Sequence, residues 1–223
     1  VKGVARKHGV SATFMAKPFA DSGGNGLHIH IRVYDGQGNN VFVDPDSTAV
    51  PPLSSMFRHA IGGMAATMAE SMAIFAPNAN SYRRFQPGNY VPLSPSWGYN
   101  HRDVSLRIPV SSPSNLRIEH RVAGADANPY LVTAAVLAGI HHGITHQCDP
   151  GPMIDEGTRM VDQQATLPNR WEWALDLFAA ATVLPEYLGE AYSSAFHSMR
   201  RAESEAYHAR IPNVDYEWYL RAV

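Results

Sequence analysis

Residues 28–33 read His-Ile-His-Ile-Arg-Val, a strict alternation of polar and apolar side chains. Successive side chains of a strand point to opposite faces. One face therefore carries His28, His30 and Arg32, and the other Ile29, Ile31 and Val33. Residues 117–121, Arg-Ile-Glu-His-Arg, repeat the arrangement with Arg117, Glu119 and Arg121 on one face. Strands of this kind need neighbouring strands and an apolar layer against their Ile and Val side. The pattern therefore reads as two half-buried strands.

The rest of the chain supplies that layer. Leu53, Met56, Phe57, Ala60, Ile61, Met64, Met68, Met72 and Phe75 recur at helical spacing and predict one helix over 53–75. Its methionine stripe reads as core packing rather than a cofactor contact. Asn128-Pro129 starts a second, apolar helix through His142, and further helices are predicted over 170–181 and 185–208. Ser11–Lys17 reads as a short strand ending at Pro18, and 21–26 as a glycine-rich loop. Residues 35–40 read as a hairpin turn leading into Val41–Val43, 77–101 as a long loop, and 149–170 as a polar, turn-rich stretch. Nothing divides the 223 residues into separate domains.

Composition excludes several classes. With 45% hydrophobic and 17% charged residues the chain is a folding one. A net charge of −2 gives no reason to expect nucleic acid or a membrane surface as partner. No apolar run approaches the ~20 residues of a membrane span. The single cysteine, Cys148, rules out an internal disulfide framework, so a cytoplasmic location is expected. Val1–His8 lacks the apolar core of a signal peptide and reads as a cut or processed start.

Chemistry concentrates in the middle of the chain. Six arginines (Arg83, Arg84, Arg102, Arg107, Arg117 and Arg121) fall within 39 residues, while residues 1–150 hold only two glutamates, Glu70 and Glu119. Guanidinium groups match carboxylates and phosphates, so this imbalance favours an anionic ligand over structural pairing. His28 and Glu119 project from the polar faces of their strands. Imidazole and carboxylate suit a Mg²⁺ or Mn²⁺ ion, but two such ligands do not complete a site.

Several segments in order resemble the glutamine synthetase family. Ala12-Thr13-Phe14-Met15-Ala16-Lys17-Pro18 followed by Gly26-Leu27-His28-Ile29-His30 resembles its phosphate- and metal-contacting segment. Asn78-Ala79-Asn80-Ser81-Tyr82-Arg83-Arg84-Phe85-Gln86-Pro87-Gly88 resembles its glutamate-binding loop. Arg102 to Pro109, Arg117 to Arg121, and Ala125-Asp126-Ala127-Asn128-Pro129-Tyr130-Leu131 follow in the family's order, with closest likeness to the γ-glutamylputrescine synthetase branch. The resemblance covers about residues 11–140 strongly and the remainder weakly.

The resemblance implies an α+β fold, an antiparallel sheet with packed helices, as the C-terminal portion of a catalytic domain occupying 1–223. The small N-terminal β-domain and the family's other metal-binding glutamates are expected to lie upstream. It implies an ATP-dependent ligase that joins glutamate to an amine through a γ-glutamyl phosphate. His28 and Glu119 would hold Mg²⁺ or Mn²⁺, Gly24, Arg84 and Arg121 the glutamate, and His30, Arg102 and Arg107 the nucleotide phosphates. Arg102 would also be the catalytic group on the transferring phosphoryl. A homo-oligomer is expected for the whole enzyme, and little activity for these residues alone.

Departures from the family pattern bear on substrate. Gly23 replaces a glutamate-contacting Asn, Arg32 a Ser near the nucleotide, and Ser114 a nucleotide-contacting Lys. Tyr90 stands where ammonia-using members carry a Glu. An aromatic wall there suits the apolar stem of a small organic amine, putrescine-like, better than ammonium. The alternatives are a glutamine synthetase using ammonia, or a non-catalytic assembly module derived from the family.

Overall fold

The computed structural model describes all residues except Asn89, 159–164 and Val223. The two alternating segments become β1 (Ile29–Ile31) and β4 (Ile118–His120). They pair antiparallel, with His30 opposite Glu119. β4 pairs antiparallel on its other side with β3 (Leu106–Ile108), with Arg107 opposite Glu119. The edge strand β2 (Trp97–Tyr99) runs parallel to β3, so the order is β1-β4-β3-β2 and one of three pairings is parallel. Because register aligns side chains across strands, His30, Glu119 and Arg107 form one row on the polar face. Ile29, His120 and Leu106 form a row on the other, and Leu106, Ile118 and His120 on that side are fully buried.

Helices cover the apolar side. A short α1 (Lys2–Lys7) precedes the sheet. Ser54 caps α2 (Ser55–Ala66) by accepting from Phe57 N at 3.1 Å, and donates to Val41 O at 2.7 Å, which ties the helix start to the preceding loop. Asn128 caps α5 (Pro129–His146), with Pro129 in the first turn where its missing N–H costs nothing. α2 packs along α5, and α3 (Met72–Phe75) bridges to α5 and α6 (Trp171–Ala179). α4 (Ala79–Tyr82), α7 (Leu184–Leu188), α8 (Glu190–His208) and α9 (Asn213–Tyr219) complete the chain.

Several expectations need correction. The helix over 53–75 is two pieces. Thr67 Oγ1 donates to Gly63 O and Ser71 Oγ to Thr67 O, and the backbone tightens to three-residue bonds at Met68 and Met72. Hydroxyls that bond back into the preceding turn compete with regular helix. The methionine stripe is nevertheless core, with Met64, Met68 and Met72 all buried. The helix over 185–208 breaks at Gly189, whose φ of 85° lies in the left-handed region. Residues 11–17 form no strand, because no neighbouring strand pairs with them among the described residues. Val41–Val43 forms no regular strand either, although the expected turn is made: Tyr34 bridges Asn40, Val41 N donates to Val33 O at 3.0 Å, and Val43 bridges Leu53. The expected loop 77–101 contains α4 and β2, and α5 runs four residues beyond its predicted end. Part of the polar stretch 149–170 lies outside the described residues.

Candidate active site

Glu119 sits at the centre of the polar face and is only 3% exposed. Its Oε1 accepts from Arg121 at 2.8 Å and lies 3.0 Å from His28 Nδ1, and its Oε2 accepts from Arg107 at 2.8 Å. Burial alone would raise this carboxyl. Hydrogen bonds from His28 and Arg107 and the charges of Arg121 and Arg107 outweigh it and hold Glu119 well below the usual carboxylate range. The carboxylate is therefore ionised throughout the physiological range.

Four predicted site residues thus converge: His28, Arg107, Glu119 and Arg121. Arg102 joins through its backbone, whose carbonyl accepts from Arg121 at 2.8 Å, while its side chain is exposed. His30 lies beside Glu119 in register and accepts from Arg117 Nε at 3.2 Å. Burial lowers its pKa against the raising effect of Glu119, and Arg117, His28 and Arg107 lower it further. Behind this row His120 packs tilted against Phe75, with ring centroids 4.6 Å apart.

Arg84 approaches from a second element. Asn78 and Ser81 form a reciprocal cap on α4. Asp126 accepts from Asn78 Nδ2 at 2.8 Å and from Ser81 Oγ at 2.7 Å, which anchors the cap just beyond β4. The chain leaving α4 then turns Arg84 inward, where it is 4% exposed and donates to Val122 O. Burial lowers its pKa to about 10, with Asp126 acting in the opposite sense, so it stays cationic at neutral pH. The loop carrying Gly24 lies against the Arg84 stem: a Cβ at Gly24 would stand 2.7 Å from Arg84 Cγ and 2.9 Å from Ala16 O. Backbone bonds from Asn25 N to Ala16 O and from Leu27 N to Ala123 O hold this loop in place.

The arginines are only partly satisfied by protein groups. Among the described residues the buried Nε atoms of Arg84, Arg107 and Arg121 lack partners, and neither Arg83 nor Arg102 donates a side-chain hydrogen bond. One buried carboxylate serves two guanidinium groups and an imidazole, so the face keeps an excess of positive charge, which an anion would satisfy. His28 and Glu119 present a donor pair suited to a hard divalent ion. Among the described residues no group of three or more His, Cys, Asp or Glu assembles, so this pair fits as part of a metal site only.

Tyr90 is not drawn into the cluster. It is 68% exposed on its loop at a φ of 53°. Arg32 is exposed with NH1 3.4 Å from Tyr34 OH, and Ser114 lies 3.1 Å from Ser112. Three contributors escaped the sequence reading. Asp126 anchors α4, Asn100 Oδ1 accepts from Arg107 NH2 at 2.9 Å, and Glu156 accepts from Asn100 Nδ2. Asp126 stands in a segment already singled out by resemblance, but no local pattern marks Asn100 or Glu156.

A family profile described as "Glutamine synthetase, catalytic domain" matches residues 1–219. The chain belongs to this family. Among curated relatives it is 43% identical over 221 residues to γ-glutamylputrescine synthetase PuuA of Escherichia coli, covering 99% of this chain and 46% of the relative. It is 37% identical over 214 residues to a glutamine synthetase of Pyrococcus abyssi, covering 93% of this chain and 47% of the relative. It is 32% identical over 221 residues to γ-glutamylethanolamide synthetase GlnA4 of Streptomyces coelicolor, covering 99% and 45%. The solved structure titled "Apo GmaS without ligand" superposes with a TM-score of 0.86 at 32% identity, covering 99% of this chain and 51% of that one. The chain therefore spans about half the length of the curated relatives it matches. No described helix is long and apolar enough to cross a membrane.

Proposed function

We propose that this chain carries the glutamate- and phosphate-binding half of an ATP-dependent ligase that forms a γ-glutamyl amide from glutamate and a small organic amine. The observation that carries the reading is the surplus of guanidinium groups around Glu119, set beside a glycine loop pressed against Arg84. Family membership and relatives that include γ-glutamyl amide synthetases support it.

In this reading ATP donates its γ-phosphoryl group to a γ-carboxylate oxygen of glutamate and leaves as ADP. The amine nitrogen, stripped of its proton, attacks the acyl carbon; the C–N bond forms as the C–O bond to phosphate breaks. Phosphoryl transfer asks a protein for positioning and charge neutralisation rather than a nucleophile. Arg84, Arg121 and the Gly24 backbone hold glutamate, Arg107 and His30 hold the nucleotide phosphates, and Arg102 neutralises the group in flight. The exposed side chain of Arg102 is free to meet ligand because only its carbonyl is committed to Arg121. His28 and Glu119 would hold a Mg²⁺ or Mn²⁺ ion as part of its ligand set, and the ion when bound would neutralise phosphate charge. We assign the acceptor as an organic amine on two grounds: γ-glutamyl amide synthetases are among the relatives, and the residue exposed on the loop after Arg84 is an uncharged aromatic, Tyr90. The full-length protein assembles as a homo-oligomer, in keeping with the exposed Tyr216, Trp218, Tyr219 and Leu220.

The test is amide formation and ADP release by the full-length protein with glutamate and putrescine, other primary amines, or ammonia. ADP release that depends on both glutamate and an organic amine is expected. Preference for ammonia would refute the amine assignment, and the absence of glutamate-dependent ADP release would refute the ligase.

A further inference from the structure

We infer that Asn100 and Glu156 are positioning residues for Arg107, and that segment 151–158 is the strap that delivers Glu156 to the sheet edge. The inference rests on the reading of Arg107 as a phosphate contact.

The geometry forms one continuous chain. Arg107 divides its terminal nitrogens between Glu119 Oε2 at 2.8 Å and Asn100 Oδ1 at 2.9 Å, so both ends of the guanidinium fork are tethered. Two tethers on a planar group fix its orientation as well as its position. Asn100 follows β2 directly, and its backbone N donates to Ile108 O at 2.8 Å. Its φ of 53° is left-handed, a conformation that Asn tolerates better than most residues.

The amide of Asn100 has a donor end and an acceptor end. Facing a guanidinium it must present oxygen, which sends its NH₂ group to the other side, where it donates to Glu156. The carboxylate thus selects the amide orientation that Arg107 requires. With the amide reversed, donor would face donor and oxygen would face carboxylate.

Glu156 arrives on a segment fastened along β2. Trp97 Nε1 donates to Gly151 O at 3.3 Å, Ile154 N donates to Trp97 O at 2.9 Å, and His101 Nε2 lies 2.7 Å from Thr158 O. The fit is close: a Cβ at Gly98 would stand 2.7 Å from Ile154 O. Residues 151–158, which carry no catalytic motif, therefore bring a carboxylate to the edge of the phosphate face, where it organises an arginine through Asn100.

The test uses the full-length protein, with steady-state kinetics and calorimetric ATP binding, so that a reading exists even for a variant with low turnover. Asn100→Gly keeps the left-handed backbone and removes only the amide. It is expected to lower kcat/KM for ATP and to weaken ATP binding about tenfold, on the scale of a lost positioning contact. The KM for glutamate should stay within about twofold, which a general loss of folded protein would not produce. Asn100→Asp keeps an acceptor for Arg107 but repels Glu156, and pairing it with Glu156→Gln restores a donor between them. That double variant is expected to recover most of the loss seen in Asn100→Asp alone. Unchanged ATP kinetics and binding in Asn100→Gly, where Arg107→Ala impairs both, would overturn this inference and leave the role of Arg107 standing. Unchanged ATP kinetics and binding in Arg107→Ala would overturn both.

Discussion

The crossing of α2 and α5 admits no side chain, and this makes Gly63→Ala a sharp test of the packing. A Cβ at Gly63 would lie 2.1 Å from Gly139 O, 2.3 Å from Gly143 Cα and 2.4 Å from Gly143 N. Two effects compete. Alanine is the better helix former by about 1 kcal/mol. Against it, the new methyl falls short of ordinary contact by more than about 1 Å, and every atom it meets is backbone, which no rotamer change can move aside. The helices must part, and a gap of ~1 Å forfeits up to about half of each dispersion contact along the seam. Overpacking typically costs about 1–3 kcal/mol, and a clash between two backbones belongs at or above the upper end. The net loss is then about 2 kcal/mol, or roughly 4–8 °C in melting temperature for a chain of this size. Urea titration followed by tryptophan fluorescence measures it. Gly3→Ala in α1, where a Cβ meets nothing within 4 Å, is the control and should cause no loss. Because Gly63 and Gly143 occupy one contact, the double alanine variant should cost less than the two single losses together. A Gly63→Ala midpoint equal to or above the parent's would refute the close-approach argument.

Gly24→Ala should raise the KM for glutamate about tenfold with a smaller change in kcat, because its Cβ displaces the buried Arg84 stem or the Ala16 carbonyl; steady-state kinetics with varied glutamate checks this. Glu119→Gln removes the charge that Arg107 and Arg121 share, and Mn²⁺ titration of the full-length protein should show affinity reduced at least about tenfold. His120 is held neutral by burial, with His28 and Arg84 adding to the effect, and its pKa falls to about 3. The unfolded chain therefore binds a proton that the folded chain refuses. Stability attributable to this group is complete above pH ~6.5 and is lost as pH falls towards 3, by up to about 1.4 kcal/mol per pH unit. Urea midpoints of metal-free protein between pH 7 and 5 should fall less steeply in His120→Phe than in the parent.

The site was legible in the sequence to the extent that its residues lie on strands. Period-two alternation placed His28, His30, Arg117, Glu119 and Arg121 on polar faces before any neighbour was known, and the register brings those faces together. The resemblance added Arg84, Arg107 and Gly24, which structure places beside them. Arg107 also shows what local pattern leaves out. Its partners, Glu119 on β4 and Asn100 just after β2, are themselves tied further off, Asn100 to Glu156, and no spacing rule encodes such contacts. The broken helices were missed for a related reason. Apolar periodicity continues through Thr67–Ser71 and past Gly189, while hydroxyl back-bonding and a left-handed glycine interrupt the backbone.

The sequence by itself determined an α+β chain with two charged-face strands, a buried methionine-bearing helix, and more arginine than nearby carboxylate could balance. These follow from side-chain period and composition, which are local properties. Only the tertiary structure decided that β4 lies inside the sheet, so that Glu119 is buried between arginines rather than solvated at an edge. It also decided that β2 runs parallel to β3, and that residues 151–158 dock beside β2 and bring Glu156 to Asn100. Strand order and loop docking depend on which surfaces exclude water together, and that is a property of the folded whole.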